Sequence, residues 1–203
     1  MSGPGAVDTV EGGGPQSAEL SSAEPGPVEP RSADPRPGAR EVIAAASQRG
    51  LTIAACESLT AGLLAASLAD VPGASAVLRG GLVTYATELK HTLAGVDADL
   101  LAQRGAVDPD VALSMARGAA QVCGAELGIS CTGVAGPDPQ DGKPVGRVYI
   151  GLWQTGGAGR PGDSGADAEG CGHVQRYDFS GSRAQIRSQV VDAGLDLLAR
   201  ALG

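Results

Sequence analysis

Apolar residues in this chain recur with two periods, and the switching between them lays out a succession of elements. Residues 40–50, REVIAAASQRG, put Val42, Ile43 and Ala46 on one side of a helix that Gly50 stops. LTIAAC, residues 51–56, is short, apolar and β-branched, which predicts a buried strand. LTAGLLAASLAD, residues 59–70, returns to helical spacing and ends at the Pro72-Gly73 turn. Residues 76–86, AVLRGGLVTYA, are strand-like in their second half, and TELKHTLAG (87–95) and DADLLAQRG (97–105) are two short helices, each closing on glycine. A longer helix over 108–124 has Asp108 as its N-cap, Pro109 at the first helical position and Gly124 as its stop.

Three strands follow. AELGISCTGVAG, residues 125–136, is apolar and runs into a Gly-rich loop; 146–155 alternates Val148, Ile150 and Leu152 on one face; 173–180, HVQRYDFS, alternates as well. Residues 182–202 form an amphipathic helix with Ile186, Val190, Ala193, Leu197 and Leu198 as its apolar stripe. The order α-β-α-β-α-α-α-β-β-β-α predicts an α/β domain, a mixed β-sheet covered by helices on both faces. With one Trp and one Phe in 203 residues, its core has to be filled by Leu, Val, Ile and Ala.

Two segments break this pattern. Residues 1–38 are rich in Gly, Pro, Ser, Ala and Glu, too poor in apolar side chains to offset the entropy of ordering, and are expected to be a disordered tail preceding a domain over 39–203. Residues 156–172, GGAGRPGDSGADAEGCG, are expected to be a flexible hairpin insertion. The formal net charge of −8 and the lack of a long basic run argue against nucleic-acid or anionic-membrane partners, which need clustered Lys and Arg. Cys56, Cys123, Cys131 and Cys171 contain no C-x-x-C pair, and His91 and His173 are far apart, so a metal site is not expected. With no signal peptide and no apolar run of membrane-spanning length, a reduced cytoplasmic protein is expected.

Polar residues concentrate where three apolar strands end, the edge at which open α/β sheets bind ligands. The first cluster is ESLTAG. Ser58 there either caps the following helix or is a nucleophile, with the first-turn N–H groups available to an oxyanion; Thr60 fits either role. A nucleophilic serine needs a base. No histidine is well placed and G-x-S-x-G is absent, so Lys90 in the second cluster, VTYATELK, is the candidate, a lysine able to act as a base if burial disfavours its charge. Tyr85 in the same cluster would relay a proton or hold the serine oxygen. The third cluster, SCTGVAGPDPQDGKPVGRV, offers Thr132, Gly133 and Gly136 as an anion cradle; it is not a Walker A loop, because five residues rather than four separate Gly136 from Gly142-Lys143 and Pro144 stands where Ser or Thr is required. Arg183, at the start of the last helix, is within the vocabulary of phosphate or carboxylate binding.

Together these segments resemble the CinA C-terminal domain family. The match runs through Glu57-Ser58-Leu59-Thr60-Ala61-Gly62, Arg79-Gly80, Val83-Thr84-Tyr85 to Lys90, Gly105–Val107, Thr132–Pro137, Lys143–Gly146 and Phe179–Arg183, and covers about residues 39–203. The departures are Leu59 and Ala61, where many relatives carry Cys and Gly, and one extra residue before Val83. Ala61 is expected to add a methyl near the substrate, and the extra residue to shift the strand before Tyr85. The resemblance implies a stand-alone deamidase of nicotinamide mononucleotide that returns nicotinate mononucleotide to NAD synthesis. It implies Ser58 as nucleophile, Lys90 as base and Tyr85 as an assisting hydroxyl, with Glu57, Thr60, Thr132, Gly133, Gly136 and Arg183 around a pyridine mononucleotide. It further implies no metal or organic cofactor, and self-association into a homo-oligomer. A non-catalytic nucleotide- or partner-binding module and an amidase acting on another small amide remain open readings.

Overall fold

Pro37 opens the first helix, α1 (Pro37–Arg49), at a position where its missing N–H is no loss, and Gly50 closes it in a left-handed conformation with φ 63°. The computed structural model describes residues 34–156 and 170–203, so residues 1–33 of the expected tail and 157–169 of the expected insertion lie outside the described residues. The helix begins at Pro37 rather than Arg40 because Gly38 belongs to it: a Cβ there would stand 3.3 Å from Leu195 Cβ, so this glycine lets α1 lie close against the last helix.

The chain continues through β1 (Ile53–Glu57), α2 (Leu63–Ala69), a 3₁₀ turn (Ala74–Ala76), β2 (Leu78–Val83), α3 (Thr87–Thr92), α4 (Ala98–Arg104), α5 (Pro109–Cys123), β3 (Leu127–Gly133), β4 (Arg147–Gln154), β5 (Cys171–Asp178) and α6 (Arg183–Leu202). The five strands form one mixed sheet in the order β2-β1-β3-β4-β5. β1 pairs in parallel with β2 and β3, and β4 is antiparallel to both β3 and β5.

Both faces of the sheet are covered. Along β1, Ile53 and Ala55 join a core shared with α1, α2 and α6, while Ala54 and Cys56 join a second core with α5 and the segments before it, including Val96, Leu101, Val111 and Met115. This is the period-2 alternation of a central strand, and it explains why β1 reads as an unbroken apolar run. All five residues of β1 and all seven of β3 are buried. α5 approaches the sheet closely: a Cβ on Gly128 would stand 1.9 Å from Ala116 O. Asp108 caps α5 by accepting from Asp110 N–H at 2.9 Å, and Ser182 and Gln185 form a reciprocal capping box at α6.

Two local expectations change. The helix expected from Leu59 begins at Leu63, because residues 58–62 form turns in which Ala61 (φ 51°) and Gly62 (φ 93°) are left-handed and cannot join an α-helix. The register shift expected before Tyr85 is confined to the start of β2. Leu78 pairs with Ile53 and Gly80 with Ala54, so Arg79 is bulged out, and Leu82 and Val83 lie opposite Cys56 and Glu57. Among the described residues no helix is long and apolar enough to cross a membrane.

Candidate active site

From β1 the chain turns to β2 on one side, then crosses back to enter β3 on the other. The C-terminal ends of β1 and β3 therefore flank the topological switch point of the sheet, where departing connections leave a crevice. Ser58 follows β1 immediately. Its N–H donates to Cys131 O at 3.0 Å on β3, while the Thr84 N–H after β2 donates to Glu57 O at 2.8 Å. The serine is thus held by backbone pairing that extends the sheet by one residue on either side. A cleft of about 110 Å³ opens at this point, small beside the ~300–1,000 Å³ of most small-molecule sites.

Lys90 supplies the contact that makes this cleft chemically distinctive. Short helix α3 directs its side chain back toward the sheet, where Nζ donates to Thr84 O at 2.7 Å and to Ser58 Oγ at 3.2 Å. The residue is only 1% exposed. Among the described residues no carboxylate lies within 4 Å of Nζ. Burial lowers its pKa from the ordinary 10.5, against weaker upward pulls from Cys56, Cys131, Asp141 and Glu88. A lysine so placed holds a neutral amine near neutral pH more readily than a solvated one, and a neutral amine accepts a serine proton. The neighbouring thiols are packed groups: burial pushes Cys56 up to about 11 and Cys131 up to about 12. All four cysteines are free, with Cys171 exposed.

Glu57 and Thr60, expected at the substrate, instead stand behind the serine. The Glu57 side chain is 1% exposed and accepts from the N–H groups of Gly62 (3.0 Å), Leu64 (3.0 Å) and Ala65 (2.8 Å). It caps α2 from the preceding strand, a role the sequence suggested for Ser58 or Thr60, and it consumes first-turn donors expected to serve an oxyanion. Thr60 is fully buried, its Oγ1 2.9 Å from Cys131 Sγ. In the turn that carries the serine, Ala61 N–H donates to Ser58 O at 3.1 Å and Leu63 N–H to Thr60 O at 3.3 Å. The donors left unassigned are the N–H groups of Leu59 and Thr60. Ala61 is exposed and does not line the cleft, so its methyl leaves the substrate space unchanged.

Thr132, Gly133, Gly136, Tyr85 and Arg183 all line the cleft. Thr132 Oγ1 donates to Ala106 O at 2.7 Å, and the Ala106 N–H donates to Asp141 at 3.1 Å, which ties the loop after β3 to the segment before α5. The glycines have internal reasons for being small. A Cβ on Gly133 would stand 2.6 Å from Arg147 O, and Gly136 has φ 87°. Tyr85 is 56% exposed, and its hydroxyl accepts from Arg183 Nη2 at 2.6 Å rather than bonding to Ser58 or Lys90. Arg183 Nη1 donates to Gly136 O at 2.7 Å. Arg183 therefore bridges the segment after β2 and the loop after β3, with neutral partners only.

Three polar residues at the site were missed by sequence reasoning. Asp138 and Gln140 line the cleft from the loop after β3; they follow a Gly-Pro turn and carry no periodic signal. Arg187 lies one turn after Arg183 on α6 and grips the serine turn, its Nε donating to Leu59 O at 2.9 Å and Nη2 to Thr60 O at 2.8 Å. The i,i+4 spacing of the two arginines was the available signal, since such residues share a helix face.

The fold and the cleft together define an α/β protein with a polar cleft at the switch point of a mixed sheet. The CinA C-terminal domain matches residues 36–202, and the chain belongs to that family. A CinA-like protein of Geobacter sulfurreducens is 47% identical over 156 residues, covering 76% of this chain and 34% of its own length. A CinA-like protein of Frankia casuarinae is also 47% identical over 156 residues, covering 76% of this chain and 33% of its own. The chain thus spans about a third of the length of these curated relatives. A crystal structure of a competence/damage inducible protein from Agrobacterium tumefaciens superposes with a TM-score of 0.71 at 32% identity, over 81% of this chain and 93% of that one. A CinA superfamily protein from Klebsiella pneumoniae gives 0.72 at 28% identity, over 81% and 95%.

Proposed function

We propose that this chain hydrolyses the carboxamide of nicotinamide mononucleotide to the carboxylate and ammonia, with Ser58 as nucleophile and Lys90 as general base. The observation that carries the reading is the 3.2 Å approach of Lys90 Nζ to Ser58 Oγ at the foot of the cleft, with the lysine buried and, among the described residues, no carboxylate within 4 Å of its amine. Membership of the CinA family supports it at family level. Neutral Lys90 takes the Ser58 proton as Oγ bonds to the carboxamide carbon and the C=O π pair moves onto oxygen. Collapse of that oxyanion breaks the C–N bond, and Lys90 returns the proton to the departing nitrogen, which leaves as ammonia. Water, deprotonated by the same amine, then attacks the acyl-serine and releases the acid.

Arg183 is the group for the phosphate. Its partners are the Tyr85 hydroxyl and the Gly136 carbonyl, both neutral, so its charge is open to an anion. Tyr85 enters this scheme as the residue that holds Arg183 over the cleft. Asp138 offers acceptors to the ribose hydroxyls from the facing loop.

The test is ammonia release from the mononucleotide, its riboside, free nicotinamide and benzamide. Turnover is expected with the mononucleotide, and Arg183→Met is expected to raise its KM by about 10- to 100-fold, the worth of a hydrogen bond to a charged group, with kcat less affected. Tight binding without ammonia release would instead support a non-catalytic binding module, and preference for an amide without phosphate would assign a different substrate.

A further inference from the structure

We propose that Asp141 is a positioning residue for this site: its carboxylate, bonded to the Ala106 N–H, holds the loop between β3 and β4 against the cleft and so fixes Asp138 and Gln140 at the rim. The role rests on the mononucleotide reading and deepens it. Little else holds this loop. At its base Val134 N–H donates to Arg147 O at 2.9 Å and Gly146 N–H to Val134 O at 2.8 Å, and Arg183 grips its start through Gly136 O. At its tip Gln140 and Lys143 bond only to each other, N–H to O at 3.2 and 2.8 Å, around a two-residue turn. Ala106 N–H donates to Asp141 Oδ2 at 3.1 Å. Among the described residues this is the one hydrogen bond that joins residues 137–143 to another part of the chain.

Both sides of this contact are shaped for it. Asp141 and Gly142 have φ 50° and 69°, the paired left-handed residues of a tight hairpin turn that Asp-Gly favours. On the receiving side, a Cβ on Gly105 would stand 3.0 Å from Asp141 Oδ2, so a glycine there leaves room for the carboxylate to reach the next N–H. Ala106 is held from its other end by Thr132 Oγ1, which donates to its carbonyl at 2.7 Å. Thr132 is buried on β3 and lines the cleft, so the loop tip is tied through Ala106 to a central strand of the sheet. Among the described residues no basic side chain lies within 4 Å of the Asp141 carboxylate, which leaves it to the backbone donor.

The loop matters because of where it stands. The cleft is small, about 110 Å³, so a mononucleotide with its carboxamide at Ser58 carries its ribose out to the rim. Asp138 and Gln140 line the cleft and are exposed there, as is Arg183. A carboxylate accepts from hydroxyls and an amide both donates and accepts, which suits the two loop residues to the hydroxyls of a ribose. A loop without its tether has to be ordered when the substrate binds, and that cost weakens the complex. Asp141 hydrogen-bonds to neither Ser58 nor Lys90, so its effect falls on binding.

Steady-state ammonia release from nicotinamide mononucleotide by the full chain tests this. Asp141→Gly removes the carboxylate but keeps a residue at home in the turn, since Gly-Gly also favours this hairpin. It is expected to raise KM by about 10-fold, with kcat within about 2-fold of the wild type. Asp141→Asn keeps both the turn and an acceptor oxygen, and is expected to recover most of the lost affinity. In a chain where Asp138 and Gln140 are both replaced by alanine, Asp141→Gly is expected to change KM by no more than about 2-fold, because it acts through them. An unchanged or lowered KM in Asp141→Gly would overturn the positioning role alone. So would an undiminished rise in the doubly substituted chain, which would mean that Asp141 acts by another route. No ammonia release by the wild type would overturn the mononucleotide reading beneath it, and the positioning role with it.

Discussion

Ala61 sits at φ 51°, a region that costs a residue with a Cβ about 1–2 kcal/mol and glycine almost nothing. Part of that cost is offset because glycine loses more entropy on folding. Ala61→Gly is therefore expected to stabilise the fold by about 0.5–1 kcal/mol, read as a higher urea midpoint with an unchanged slope. At this scale the candidate site was partly legible. Ser58, Lys90, Tyr85 and Arg183 were singled out as candidates in the sequence, and the structure brings Ser58 to Lys90 and Tyr85 to Arg183. Glu57 was misread, because a carboxylate at the end of a strand reaches a helix N-terminus five to eight residues later only if the chain bends sharply between them. That bend depends on left-handed residues, one of which is an alanine and gives no warning. Arg187 was missed because its partners are distant carbonyls, and the sequence marks no backbone acceptor.

The elements were largely legible because each period of apolar residues persists long enough to be unambiguous, and because Gly, Pro and Asp punctuate them. Gly50, Asp108, Pro109 and Gly124 all stand where capping chemistry puts them. Boundaries failed where a glycine served packing instead of punctuation, as Gly38 does against Leu195. Gly128 is the strictest such position. An added Cβ would stand 1.9 Å from Ala116 O, a backbone atom of α5 that cannot move aside without moving the helix. Gly128→Ala is expected to cost about 3 kcal/mol, the upper range for overpacking a core, and to lower the urea midpoint accordingly. An unchanged midpoint would show that α5 is not seated on β3 as closely as this geometry requires. The bulge at Arg79 is a third element-scale feature: a strand containing Gly80-Gly81 accommodates an extra residue locally, and the pairing of Leu82 and Val83 is restored before the site.

At the scale of the whole molecule, the sequence announced a mixed sheet with helices on both faces but not the order of its strands, because strand pairing is non-local. That order, β2-β1-β3-β4-β5, brings the end of β1 beside the end of β3 and folds the segment after β2 over both. Ser58, Lys90 and Thr132 come from three separated segments and meet only because of it. The topology also buries Lys90, and so accounts for its lowered pKa. The amine must be neutral to accept the serine proton, so the rate rises with pH as Lys90 deprotonates, through a midpoint below the ordinary 10.5. The most direct test is kcat/KM for ammonia release from nicotinamide mononucleotide as a function of pH, for the wild type, Ser58→Ala and Lys90→Ala. The wild-type rate is expected to climb through such a midpoint, Ser58→Ala to lose about 10³-fold or more, and Lys90→Ala to lose about 10²- to 10⁴-fold together with the midpoint itself. Equal rates for all three proteins would contradict the Ser58–Lys90 mechanism.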